Sequence, residues 1–108
     1  MMLLLAACTG SEPADTAASV CDGAPFASWD SFGHGFLVEQ CQPCHATTAA
    51  ERYGAPVEVT FDDEATTLAQ KASVLRVATG DAPTMPPAIS VEERDRYLLE
   101  VWLTCWVD

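Results

Sequence analysis

"VEQCQPCHAT", Val38 to Thr47, sets two cysteines and a histidine (Cys41, Cys44 and His45) within five residues. Three chemistries use such a group, and each predicts a different protein. C-x-x-C-H is the attachment signature of haem c. Two thiols add across the two vinyl groups on one porphyrin edge, and two intervening residues set the sulfurs at the vinyl separation. The histidine, one residue on, turns its ring to the iron as proximal ligand. On this reading Gln42 and Pro43 carry no requirement of their own. A zinc clamp needs four ligands. Cys41, Cys44, His45 and His34 could supply four, but without the two separated pairs of ordinary zinc spacing. A thioredoxin-type dithiol sits within a βαβ pattern, which this chain lacks. The motif alone favours haem and leaves the other two open.

The flanks of the motif read as helix. Aromatic residues begin with Phe26 and continue through Trp29, Phe32 and Phe36. Residues 29–40 can form a helix with Phe32, Phe36 and Leu37 on one face. Gly33 and Gly35 weaken it in isolation, which is tolerable where another backbone or a flat cofactor packs close. Residues 52–61 have no helical period, and Gly54 and Pro56 mark a loop. A second helix is expected from Asp62 or Asp63, whose carboxylates suit a helix N-terminus as Glu64 does. Leu68, Ala72 and Leu75 should share its inner face, and Gly80 suits its C-terminal cap.

The C-terminal part is the most regular. Ser90 and Glu93 match a capping box, and Tyr97, Leu98, Val101, Trp102 and Cys105 recur at helical spacing. No strand-rich pattern and no internal repeat is visible. The fold class is therefore all-α, with three to four helices.

A second candidate ligand lies 40 residues beyond His45. Of the three methionines, Met1 and Met2 stand at the chain start, which leaves Met85. It sits in "TMPP", in a segment stiffened by Pro83, Pro86 and Pro87. Such a loop can hold a weak thioether against iron, and a methionine ligand raises the potential of a haem relative to a second imidazole. The competing role, filling a gap in the core, suits a proline-flanked loop position poorly. His34 as sixth ligand would leave the Met85 loop without a purpose.

At 108 residues the chain suffices for one small domain, near the size at which burial alone stabilises a fold. Asp and Glu number 16 against 5 Lys and Arg, a formal charge of -11. That excess argues against nucleic acid, whose phosphates need cationic contacts, and against an anionic membrane surface. It would steer a partner with a basic face toward the protein.

"MMLLLAAC" opens the chain and resembles the end of a bacterial lipoprotein signal, with a lipobox Leu5-Ala6-Ala7-Cys8. No Lys or Arg precedes the apolar run, and the run is shorter than an ordinary signal core. The resemblance implies lipidation of Cys8. Residues 9–20 are small, polar and acidic and read as a flexible tether, with a typical span of about 20 Å. No later stretch is long or apolar enough to span a bilayer. The expected division is thus 1–8 leader, 9–28 tether and lead-in, and 29–108 domain.

Taken together, these parts resemble a small class I cytochrome c. A first helix with Gly33 and Phe36 precedes C-x-x-C-H; a Gly/Pro loop, a middle helix, a Met-Pro loop and a final helix with Tyr97 and Trp102 come after it. "MPP" at 85–87 and "SVEERDRYLLEVWL" at 90–103 are similar to the end of many single-haem bacterial domains. The likeness covers about residues 29–106. It implies one covalent haem c attached at Cys41 and Cys44, with iron between His45 and Met85. It also implies a crossing of the first and last helices, Gly33 meeting Tyr97 or Trp102, and a loop carbonyl from Ala55 or Pro56 on the other nitrogen of His45. The implied function is one-electron transfer by a monomer, not enzymatic turnover, at the periplasmic side of a bacterial membrane. Scarce lysines set the chain apart from many relatives, so an acidic face should meet a basic or neutral redox partner. A haem enzyme or gas sensor with an open sixth position, and a haem-free zinc or dithiol module, are the alternatives.

Cys21 and Cys105 bracket the domain. A bridge between them would close a loop of about 84 residues, for which chain entropy gives roughly 4 kcal/mol, and disulfides belong to oxidising compartments. Arg52 and Arg76 are candidates to pair with a haem propionate.

Overall fold

The computed structural model describes residues 20–87 and 91–107, whose regular secondary structure is all helix, with no strand among them. The expected leader, Cys8 and the tether up to residue 19 lie outside the described residues, as does Ser90. No helix of the described residues is long and apolar enough to cross a membrane.

The first helical stretch begins at Ser28. Its side chain accepts a hydrogen bond from the Ser31 amide while Ser31 caps the Ser28 amide in return. A π-helical turn, Trp29–Gly33, leads into α1, His34–Gln40, with the Ser28 carbonyl accepting from both Phe32 and Gly33. A single turn, α2, Gln42–His45, carries the cysteine–histidine motif and bends away at Cys41.

The second stretch is two helices rather than one. α3, Glu64–Ala69, starts at Asp63, whose carboxylate caps the Thr66 amide at 2.8 Å. The helix breaks at Gln70 (ψ 18°) and resumes as α4, Lys71–Ala78. The buried positions of α4 are Val74 and Ala78, whereas Ala72 is exposed. Leu68 and Leu75 pack against the core as expected. Gly80, two residues past the helix, has φ +88°, a conformation that glycine enters without a Cβ penalty.

The last helix, α5, Glu93–Cys105, has Glu92 as its N-cap residue with no side-chain capping bond. The Ser90–Glu93 box therefore does not describe its start; the helix begins too late for residue 90 to be its cap. Leu99, Val101, Trp102 and Leu103 are buried on it. Trp102 is the largest fully buried side chain, and Gly33 lies against it. A Cβ built at Gly33 would stand 2.5 Å from Trp102 Cη2. The crossing of the first and last helices is thus between Gly33 and Trp102. Tyr97, the other expected partner, is 42% exposed.

The folded unit also starts earlier than residue 29. Ala27 is buried, the Trp106 indole donates to the Pro25 carbonyl at 3.0 Å, and Phe26 meets Trp106 edge-on. Cys21 and Cys105 stand at disulfide distance, their sulfurs 2.07 Å apart. Residues 21–28, the expected lead-in, thus pack against the helical unit.

Candidate functional site

A cleft of about 450 Å³ opens between the motif turn, the 52–61 loop, α4 and the Met85 loop. Cys41, Cys44, His45 and Met85 all line it, joined by apolar side chains that include Phe36, Phe61, Val74 and Leu99. Its volume falls within the roughly 300–1,000 Å³ of small-molecule and cofactor sites.

The motif is held by the chain beyond it. The Phe61 amide donates to the His45 carbonyl at 2.8 Å, and the Gln42 side chain donates to the Phe61 carbonyl at 2.9 Å. Just past the motif, the Thr47 hydroxyl and amide both bond to the Asp62 carboxylate. Residues 59–62 thus run alongside α2. Gln42, which the motif reading left without a role, is one of the clasps.

His45 is oriented by the same segment. Its Nδ1 lies 2.9 Å from the carbonyl oxygen of Val59, and Phe61 meets the ring edge-on, 5.5 Å between centroids. The carbonyl is not that of Ala55 or Pro56. The Val59 amide donates to the Pro56 carbonyl at 3.2 Å, and that turn occupies Pro56 and brings Val59 round to the ring. With a proton on Nδ1, Nε2 keeps its lone pair for a metal.

Cys41 and Cys44 are free thiols, both half-buried. Burial pushes the Cys41 thiol up to about 12, so at neutral pH it carries its proton.

Met85 reaches the cleft through contacts to two helices. The Val77 carbonyl accepts from the amides of Thr84 at 2.7 Å and Met85 at 3.0 Å. Arg96 on α5 donates through Nη1 to the Ala78 and Met85 carbonyls, each at 2.8 Å.

The donor set and the orphaned atoms fit a haem. Arg52 and Arg76 line the cleft. Arg52 Nη2 reaches the Thr47 carbonyl at 3.4 Å, while its Nη1 is buried without a partner. Gln40, another lining residue, leaves Oε1 buried and unpartnered. A guanidinium nitrogen so placed has capacity for an anion such as a propionate.

A four-ligand zinc clamp is not assembled. His34 does not line the cleft; its ring stacks on Trp29, 5.0 Å between centroids. Among the described residues no three His, Cys, Asp or Glu side chains come together to hold a metal ion. The same placement leaves His34 outside the cleft that Met85 lines.

Comparison of the chain with protein-family models, with curated proteins and with solved structures found no match.

Proposed function

We propose that the chain is a monohaem c-type cytochrome of class I type, a one-electron carrier with His45 and Met85 as axial ligands. The observation that carries the reading is the shared cleft. Cys41, Cys44, His45 and Met85, from segments 40 residues apart in sequence, line one cavity with apolar walls. When bound there, haem c supplies a one-electron iron couple.

The chain's own residues do the rest. The Cys41 and Cys44 thiols would each add S–H across a vinyl double bond, sulfur to one carbon and hydrogen to the other, with no oxidant consumed. Val59 fixes the His45 ring and makes it the more electron-rich ligand. Phe36, Phe61, Val74 and Leu99 give the cleft an apolar wall, and low polarity around a haem is one of the levers on its potential. Arg52, with Nη1 buried and unpartnered in the cleft wall, would hold a propionate. With His45 and Met85 both given to the iron, the cleft would keep no metal position for a substrate, and the protein would pass electrons between redox proteins rather than turn over a small molecule.

The setting is inferred from the sequence. Lipidation at Cys8 would tether the domain at the periplasmic side of a bacterial membrane, working as a monomer. The formal charge of -11 selects a partner with a basic or neutral docking face.

Met85→Ala in the haem-loaded protein tests the ligand pair. The reading expects loss of the low-spin methionine spectrum and gain of CO binding. An unchanged spectrum would instead favour a haem enzyme or sensor with an open sixth position.

A further inference from the structure

We propose that Arg96 is the positioning residue of the distal site, tying the backbone of Met85 to the end of α4 from its own place on α5. The inference rests on the His45/Met85 reading. The loop that bears Met85 cannot secure itself: Pro83, Pro86 and Pro87 have no N–H to donate. Its anchors therefore come from outside. The Met85 amide is held by the Val77 carbonyl of α4. The Met85 carbonyl is held by Arg96 Nη1, which at the same 2.8 Å also bonds the Ala78 carbonyl. Both backbone polar groups of Met85 are thus fixed, one by each helix. Ala78 is in the last turn of α4, where carbonyls lack helical partners and a cation is favourable.

A thioether is a weak ligand, so its occupancy of the sixth position depends on how firmly the loop presents it. Arg96 stands in a surface concavity with Asp81, Glu93, Arg94 and Glu100. The carboxylates of Asp81, Glu93 and Glu100 outnumber the Arg94 guanidinium and favour a cation there, and a charge-assisted bond is stronger than a neutral one.

The test uses the haem-loaded full chain as wild type, Arg96→Ala and Arg96→Lys. The readouts are imidazole affinity of the ferric protein, the long-wavelength charge-transfer band of methionine-ligated haem, and the urea midpoint. A Cys21→Ser/Cys105→Ser variant serves as the stability control. Arg96→Ala should bind imidazole about tenfold more tightly than wild type, from loss of one charge-assisted anchor, with Arg96→Lys between them. The control should lose stability yet keep the wild-type affinity. If Arg96→Ala does not fold, Arg96→Gln carries the comparison with the same expected direction. Unchanged imidazole affinity in a folded Arg96 variant overturns the proposal while leaving the ligand pair intact. A wild-type protein without the methionine band overturns both.

Discussion

The Nδ1 atom of His45 lies 2.9 Å from the carbonyl oxygen of Val59, 14 residues further along the chain. This one contact makes the loop after the motif a part of the site. The carbonyl is backbone, so its position depends on how residues 59–62 are laid against α2. The Gln42 amide, bonded to the Phe61 carbonyl, is one of the groups that place it.

Gln42→Ala should therefore destabilise the fold by about 1 kcal/mol, as it leaves a part-buried carbonyl without a donor. Gln42→Glu, which keeps the size and loses the donor, should cost at least as much. Urea midpoints check both; wild-type values would mean that the clasp contributes nothing.

The two glycines of the first helical stretch should behave oppositely. Gly33→Ala drives a methyl into the Trp102 ring, and overpacking of this kind costs about 1–3 kcal/mol. Gly35→Ala meets nothing within 4 Å and should be neutral or stabilising by up to about 1 kcal/mol, from helix propensity. Equal effects in chemical denaturation would contradict the packing described.

Asp63 gives a pH dependence with a definite sign. Its hydrogen bonds with Thr66 hold the carboxyl below its ordinary range. A depressed folded value means that the stabilisation is complete above the unfolded value and is lost as pH falls through the folded one. The advantage of wild type over Asp63→Asn should thus shrink as pH falls through and below the ordinary Asp range. Comparing the two cancels the general effect of neutralising the other carboxylates. Parallel stability curves would contradict the assignment.

The Cys21–Cys105 pair spans 84 residues, and chain entropy puts its contribution near 4 kcal/mol. Replacing both by serine, or adding reductant, should lower the urea midpoint accordingly. An unchanged midpoint with reductant would show that the pair is not bridged in the isolated protein.

Much of this was legible in the sequence where local rules act alone. The 3.6-residue period located the three helical stretches, and the acidic run at Asp62 and Asp63 marked the start of α3; the crossing at Gly33 came from the family resemblance, not from a local rule. The features that escaped depend on contacts between distant segments. Whether Ala55, Pro56 or Val59 faces His45 is decided by a turn that closes from Val59 to Pro56. Which of Tyr97 and Trp102 meets Gly33 is decided by the rotation of α5. The break at Gln70 escapes as well: its side chain bonds the Thr60 and Thr66 carbonyls, and a glutamine carries no breaker signal. Arg96 likewise reads as one more charge on a helix until its two acceptors are seen.

The central claim is covalent haem at Cys41 and Cys44, and the direct measurement is intact mass with iron content. The protein is produced in a host that matures c-type cytochromes, then extracted with acid-acetone. The account predicts one haem retained per chain and one iron in the native protein, with retention lost in Cys41→Ala/Cys44→Ala. A chain that releases all of its haem, or that carries zinc and no iron, would contradict it.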